Sequence, residues 1–219
     1  MLENLKEKVR KVALEAQRIG LCKHKSGNFS IRDKETNYVV VTPSAIDREL
    51  LTVDDIVVMD LENNIIECKK GVKPSSEAMM HFEIYKARPE IMSVVHTHSK
   101  MATSFAVLKK PIPAVIFEVA GFGLKDGVIP VADYARPGTV ELSKSVIEPI
   151  LRSDMILLEK HGTVSAGYDI EDAFLKAQYI EEIAEIYFNA LLINGGKEPE
   201  AFSVEELNKW QYPTQFKIE

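Results

Sequence analysis

Residues Val94-Val95-His96-Thr97-His98-Ser99 place two of the chain's five histidines on either side of one threonine. In a β-strand, residues two apart point to the same face, so His96 and His98 would project side by side where an apolar run ends. Two imidazoles so placed can meet one divalent ion. His161 closes a second apolar run, Met155-Ile156-Leu157-Leu158, and precedes Gly162. Three neutral imidazoles leave one tetrahedral position open, which is the arrangement of catalytic zinc. Unrelated zinc folds also use His-x-His with a distant histidine, so the spacing points to a metal and names no enzyme.

Glu77 and His81 are four residues apart and would share a helix face. That pair offers a second way to bind a metal. Glu77 is instead expected to point into the site from the helix start, with His81 structural. Three short polar segments suit a phosphate. Ser26-Gly27-Asn28 can offer backbone N–H groups in a tight turn. Ser75-Ser76 add hydroxyls at a helix start, where the dipole favours an anion. Thr42-Pro43-Ser44-Ala45 can do the same after its strand. Taken singly, each is also what an ordinary turn looks like.

The elements that must position these residues follow from periodicity. Leu2, Leu5, Val9, Val12, Ala13 and Ala16 fall on one face, so residues 2–19 predict an amphipathic helix ending near Gly20. Residues 38–42 form a β-branched run stopped by Pro43. Residues 56–60 and 65–68 read as a hairpin around Glu62-Asn63-Asn64. Pro74-Ser75-Ser76-Glu77 opens a helix to about Arg88, with a serine as N-cap and Glu77 in the first turn. Residues 91–95 are a buried strand leading to the histidines, and 100–107 a helix. Strands are expected at 113–119 and 128–131, a helix at 138–152, and a strand at 155–158 that returns antiparallel at 163–166. Residues 170–193 carry the strongest helical pattern, and a short helix near 203–211 leads to the tail. No repeat, low-complexity block or linker divides the chain, so one α/β domain over 1–219 is expected, with a sheet that is not all parallel.

The chain has 219 residues, with 46% hydrophobic, 27% charged and a net charge of −6. That balance suits a globular protein and disfavours nucleic acid or an anionic membrane as partner, since both need a basic surface. A small anionic substrate remains compatible, because a local pocket can oppose the global sign. The two cysteines, Cys22 and Cys68, lack metal-type spacing and make no disulfide framework. With no signal-peptide core and no apolar run of spanning length, the expectation is a cytoplasmic protein.

In order along nearly the whole chain, Ser26-Gly27-Asn28-Phe29-Ser30, Thr42-Pro43-Ser44-Ala45, Lys73-Pro74-Ser75-Ser76-Glu77, His96-Thr97-His98 and His161-Gly162 resemble the class II aldolase/adducin-head family. The similarity is strongest to its fuculose-phosphate aldolase branch. Five ordered motifs are far more specific than any one. The resemblance implies a three-layer α/β/α fold with a mostly antiparallel central sheet, and a homotetramer with active sites at subunit interfaces. It implies one zinc per chain on His96, His98 and His161, with Glu77 also able to contact it. It implies a substrate phosphate against Gly27, Asn28, Ser44, Ala45, Ser75 and Ser76. The implied reaction is reversible cleavage of a ketose 1-phosphate to dihydroxyacetone phosphate and a short aldehyde such as L-lactaldehyde. Zinc would act as Lewis acid and Glu77 as proton carrier.

Two departures from the branch matter. Thr42-Pro43-Ser44-Ala45 has alanine where the family often has glycine. Phe117 stands where the aldolase branch carries a tyrosine that reaches the neighbouring site, and phenylalanine donates no proton. Glu118 beside it reads as solvated rather than as a replacement acid. Tyr212 is the candidate for the branch's tail tyrosine. Three other activities share the scaffold. Sugar-phosphate 4-epimerases tend to have Asp where Glu77 stands, methylthioribulose-phosphate dehydratases keep a similar histidine set, and non-catalytic assembly heads need not keep the ligands.

Overall fold

The computed structural model describes residues 1–209. Strands β1 (Asn28–Arg32), β2 (Val39–Val41), β3 (Val57–Met59), β4 (Ile65–Glu67), β5 (Ser93–Thr97), β8 (Val131–Ala132), β9 (Met155–Leu158) and β10 (Gly162–Gly167) form one sheet. Its order is β4-β3-β2-β1-β5-β10-β9-β8. Every pairing in it is antiparallel except β8 with β9. Two further short strands, β6 (Ile112–Pro113) and β7 (Val128–Ile129), pair beside it. The expected α/β architecture with a mostly antiparallel sheet is what the chain adopts.

Strand alternation sorts the core into layers. Val39, Val41, Val57, Met59, Val94, Ile156 and Leu158 pack against α2 (Ala78–Ala87), α4 (Val140–Ser145) and α5 (Ile147–Arg152). On the opposite face, Phe29, Ile31, Val40, Val58 and Val95 meet α1 (Glu3–Arg18) and the start of α6 (Ile170–Ile193). Met155 and Leu157 meet the rest of α6, together with α3 (Lys100–Val107) and α7 (Val204–Leu207). Among the described residues, no helix is long and apolar enough to cross a membrane.

Several elements depart from expectation. Residues 28–32 form a strand in the centre of the sheet, although their polar sequence did not suggest one. The 113–119 strand shrinks to Ile112–Pro113, and a 3-10 turn occupies Phe117–Val119. Pro113 has no N–H to extend a ladder. The 138–152 helix breaks at Val146. Pro149 cannot bond to the carbonyl of Ser145, and its ring crowds that carbonyl. The second helix starts at Ala78 with Glu77 itself in the N-cap position, and no side chain caps it. Glu77 is thus outside the first turn and free to face elsewhere. Among the described residues the last helix runs over Val204–Leu207, and the final two residues of the expected 203–211 span lie outside them.

Candidate active site

Three neighbouring strands carry the centre. The register pairs Asn28 of β1 and Val164 of β10 with His96 of β5. His96 lies on the same face as Val94, the face that α2 covers, and His98 follows just past the strand end. His161 comes from the tight turn between β9 and β10, in which Lys160 adopts a φ of +57° and the His161 N–H donates to the Leu158 carbonyl at 3.0 Å. The three imidazole centroids lie 4.8, 4.8 and 5.0 Å apart.

Glu77 closes the group from the start of α2. Its Oε2 lies 3.3 Å from His96 Nε2, and its Oε1 lies 3.3 Å from His161 Nε2. One ligand atom from each of Glu77, His96, His98 and His161 falls within 4.8 Å of all the others. His96 Nδ1 is 2.8 Å from the Thr163 carbonyl, to which it must donate. In the neutral ring, Nε2 then carries the lone pair and points inward. His98 Nε2 is 2.9 Å from that atom.

Electrostatics keep the nitrogens available. Burial, aided by the charges of His96 and His161, pushes the His98 imidazole down to about 3. Burial and the His96 charge push His161 down to about 4. Burial raises the Glu77 carboxyl, but His96, His161 and a hydrogen bond from Asn28 outweigh it and hold Glu77 well below the usual carboxylate range. The Glu77 Oε1 and His161 Nδ1 atoms are buried without a hydrogen-bond partner among the described residues. A buried carboxylate oxygen left unpartnered beside three imidazoles is a costly arrangement on its own. It is the donor set that a divalent cation of borderline character satisfies.

The loops proposed for a phosphate also meet here. The Ser44 N–H donates to the Lys73 carbonyl at 2.9 Å, and the Ser75 N–H to the Thr42 carbonyl at 3.1 Å. The Phe29 N–H donates to Thr42 Oγ1 at 3.1 Å. These bonds gather the segments that hold Gly27, Asn28, Ser44, Ala45, Ser75 and Ser76. Gly27 has a φ of +76°, and a Cβ there would lie 2.4 Å from Cys22 Sγ and 2.8 Å from the His96 carbonyl oxygen. Ala45 adopts a φ of +62°, the conformation that glycine takes without strain. The Asn28 side chain is turned toward Glu77 and His81, so only its second amide N–H is open to another acceptor.

Other expected residues fall elsewhere. His81 is buried and hydrogen-bonded to Asn28 and Ser30 rather than joined to the ligand set. Phe117 lies edge-on to Phe202, with centroids 6.1 Å apart, and Glu118 is exposed. Tyr212 lies outside the described residues. Sequence reasoning missed Thr163, whose carbonyl sets the His96 tautomer, and Arg48. The buried Arg48 donates from Nη2 to the Gly27 carbonyl at 2.6 Å, which fixes the peptide at the head of β1. Neither has a sequence signal, because both act through backbone carbonyls that only strand register brings near.

A mostly antiparallel sheet whose central strands and turns deliver three histidines, met by a carboxylate from the start of α2, is the frame of a metal-dependent enzyme. The family described as Class II Aldolase and Adducin N-terminal domain matches residues 7–188, and the chain belongs to it as an aldolase. An L-fuculose phosphate aldolase of Methanococcus maripaludis is 40% identical over 162 residues, 74% of this chain and 84% of the relative. A 5-methylthioribulose-1-phosphate/5-deoxyribulose-1-phosphate aldolase of Rhodospirillum rubrum is 35% identical over 197 residues, 90% and 85% of the two chains. A solved L-fuculose 1-phosphate aldolase superposes with a TM-score of 0.85 at 32% identity, covering 93% of this chain and 92% of the other.

Proposed function

We propose that this aldolase is zinc-dependent and reversibly cleaves a ketose 1-phosphate to dihydroxyacetone phosphate and a short aldehyde. L-Fuculose 1-phosphate or a 5-deoxyketose 1-phosphate is the substrate class. The observation that carries the reading is the unpartnered Glu77 Oε1 beside the three histidines. Both kinds of relative named above support the substrate class.

Held by His96, His98, His161 and Glu77, a divalent cation supplies Lewis-acid stabilisation of negative charge on the substrate's carbonyl and hydroxyl oxygens. The chain's residues do the rest. In cleavage, Glu77 starts protonated from water, the bond between C3 and C4 breaks, and the C4 hydroxyl passes its proton to the ionised Tyr212 as it becomes the aldehyde. The electron pair stays with C3, and Glu77 delivers a proton there to give dihydroxyacetone phosphate. In synthesis, Glu77 takes a proton from that carbon, which then attacks the aldehyde. Gly27, Asn28, Ser44, Ala45, Ser75 and Ser76 hold the phosphate and so fix the reacting carbons relative to the Glu77 carboxylate. Tyr212 is the proposed acid on the aldehyde side. A cytoplasmic homotetramer with interface sites completes the reading.

Incubating the zinc-loaded protein with dihydroxyacetone phosphate and a panel of short aldehydes, L-lactaldehyde among them, tests it. A ketose 1-phosphate product is expected. No product with any aldehyde, together with turnover of a pentulose 5-phosphate, would replace the aldol reading with epimerisation.

A further inference from the structure

Behind Glu77, four side chains form one unbroken hydrogen-bonded chain. Asn28 Nδ2 lies 2.9 Å from Glu77 Oε2, and His81 Nε2 lies 2.5 Å from Asn28 Oδ1. Ser30 Oγ lies 2.7 Å from His81 Nδ1, and Tyr85 OH lies 2.6 Å from Ser30 Oγ. His81, Ser30 and Tyr85 are fully buried, and Asn28 is 4% exposed. Asn28 and Ser30 are two apart on β1, and His81 and Tyr85 are four apart on α2, so each pair shares a face. With water excluded, each proton is placed by its neighbours.

Their chemistry fixes the direction of every bond. An ionised Glu77 only accepts, so Asn28 turns its NH₂ toward it and its carbonyl toward His81. That carbonyl only accepts, so His81 carries its proton on Nε2. His81 Nδ1 is then a lone pair and accepts from the Ser30 hydroxyl. Ser30 has one hydrogen, so its oxygen must receive the hydrogen of Tyr85. Donation runs in one sense from Tyr85 through Ser30, His81 and Asn28 to Glu77, and bonds aligned this way polarise one another. The opposite amide orientation would set the Asn28 carbonyl against the carboxylate.

We propose that His81 is a positioning residue for Glu77: held in its Nε2–H form by Ser30 and Tyr85, it locks the Asn28 amide. The amide N–H then fixes the carboxylate oxygen beside His96 and, through it, sets the second oxygen beside His161. The proposal rests on the reading of Glu77 as the proton carrier. A chain that merely glued α2 to β1 would need no particular direction.

Steady-state kinetics of the zinc-loaded full chain with dihydroxyacetone phosphate and L-lactaldehyde separate the two. His81→Leu, which removes both ring nitrogens, should lower kcat about 10- to 100-fold, the scale set by a misplaced catalytic group. Zinc content should stay within about twofold, because the three histidines are untouched, and KM for dihydroxyacetone phosphate should change far less than kcat, because the other phosphate contacts remain. His81→Gln, which keeps a donor near the Nε2 position, should recover most of the loss. Unchanged kcat in His81→Leu, or equal losses in both variants that track a lower Tm, overturns the proposal. Independently, ¹⁵N-histidine NMR of the unmutated chain should find His81 neutral with its proton on Nε2. A proton on Nδ1, or on both nitrogens, overturns the proposal whatever the variants do. Glu77→Gln separates the premise from the inference. If it turns over normally, the reading of Glu77 is what fails. If it is inactive while His81→Leu is fully active, only the positioning role fails.

Discussion

Gly162 packs so closely on Thr97 that a Cβ on the glycine would lie 2.3 Å from the threonine carbonyl oxygen. The same Cβ would come within 3.1 Å of His98 Cδ2 and 3.3 Å of His96 Cε1. The contact lets β5 and β10 approach where all three histidines leave the sheet. Gly162→Ala should therefore push the strands apart at the metal centre. Overpacking of this kind costs about 1–3 kcal/mol. The expected result is a lower Tm and less than one zinc per chain by elemental analysis. Full zinc loading with an unchanged Tm would show that the site tolerates the methyl.

Glu77→Gln keeps the shape of the side chain and removes its charge and its ability to carry a proton. Loss of a general acid–base group slows turnover by about 10²- to 10⁴-fold. The KM for dihydroxyacetone phosphate should change much less than kcat, because Gly27, Ser44, Ala45, Ser75 and Ser76 still face the phosphate. Initial rates alongside zinc analysis check this. Normal turnover would remove Glu77 from the proton transfer.

Acid stability carries a signature of His81. Its ordinary value is 6.5, and burial, aided by the His96 charge, pushes it down to about 3 in the folded chain. Below 6.5 the unfolded chain takes up a proton that folded His81 refuses. The stability that neutral His81 contributes is thus fully present above 6.5 and is lost as pH falls toward 3, by up to about 1.4 kcal/mol per pH unit. His81→Gln cannot titrate. Urea unfolding of both proteins should find the wild-type advantage shrinking as pH drops from 6.5 to 4. A difference that stays flat across that range would mean that His81 is not held neutral in the fold.

The metal ligands were legible in the sequence because each sits beside a strong local signal. His96 and His98 follow an apolar strand, and His161 ends another and precedes a glycine. β1 was not legible, for a physical reason that belongs to the site. Asn28, Ser30 and Arg32 line one face of it, and all three are buried. The polar atoms that hide the strand from a periodicity search are those bonded to Glu77, His81, Tyr85 and backbone carbonyls. The helix expected at 74–88 placed Glu77 in a first turn. Its role as N-cap became visible only once Ser75 and Thr42 were joined across two loops. The direction of the His81 chain required knowing that β1 and α2 face each other, which spacing within either element does not encode.

Far from the histidines, Lys176 on α6 is 4% exposed. Its Nζ donates to Asp154 Oδ2 at 2.8 Å, Asp172 Oδ2 at 2.8 Å and the Ala166 carbonyl at 3.2 Å. Arg88 also donates to Asp154, so the network ties α6, β10, the head of β9 and the end of α2 together. Lys176→Met keeps most of the volume and leaves Asp172 and the Ala166 carbonyl without their cation. Breaking a buried pair by removing one partner costs about 3–5 kcal/mol. Adding Asp172→Asn, which removes one of the stranded charges, should recover part of that loss. Urea denaturation measures both effects. Because β10 is clamped here at the end away from His161, zinc content and KM should remain at wild-type values while stability falls. A single variant that loses less than about 1 kcal/mol would mean that solvent reaches the carboxylates and the network is not a buried one.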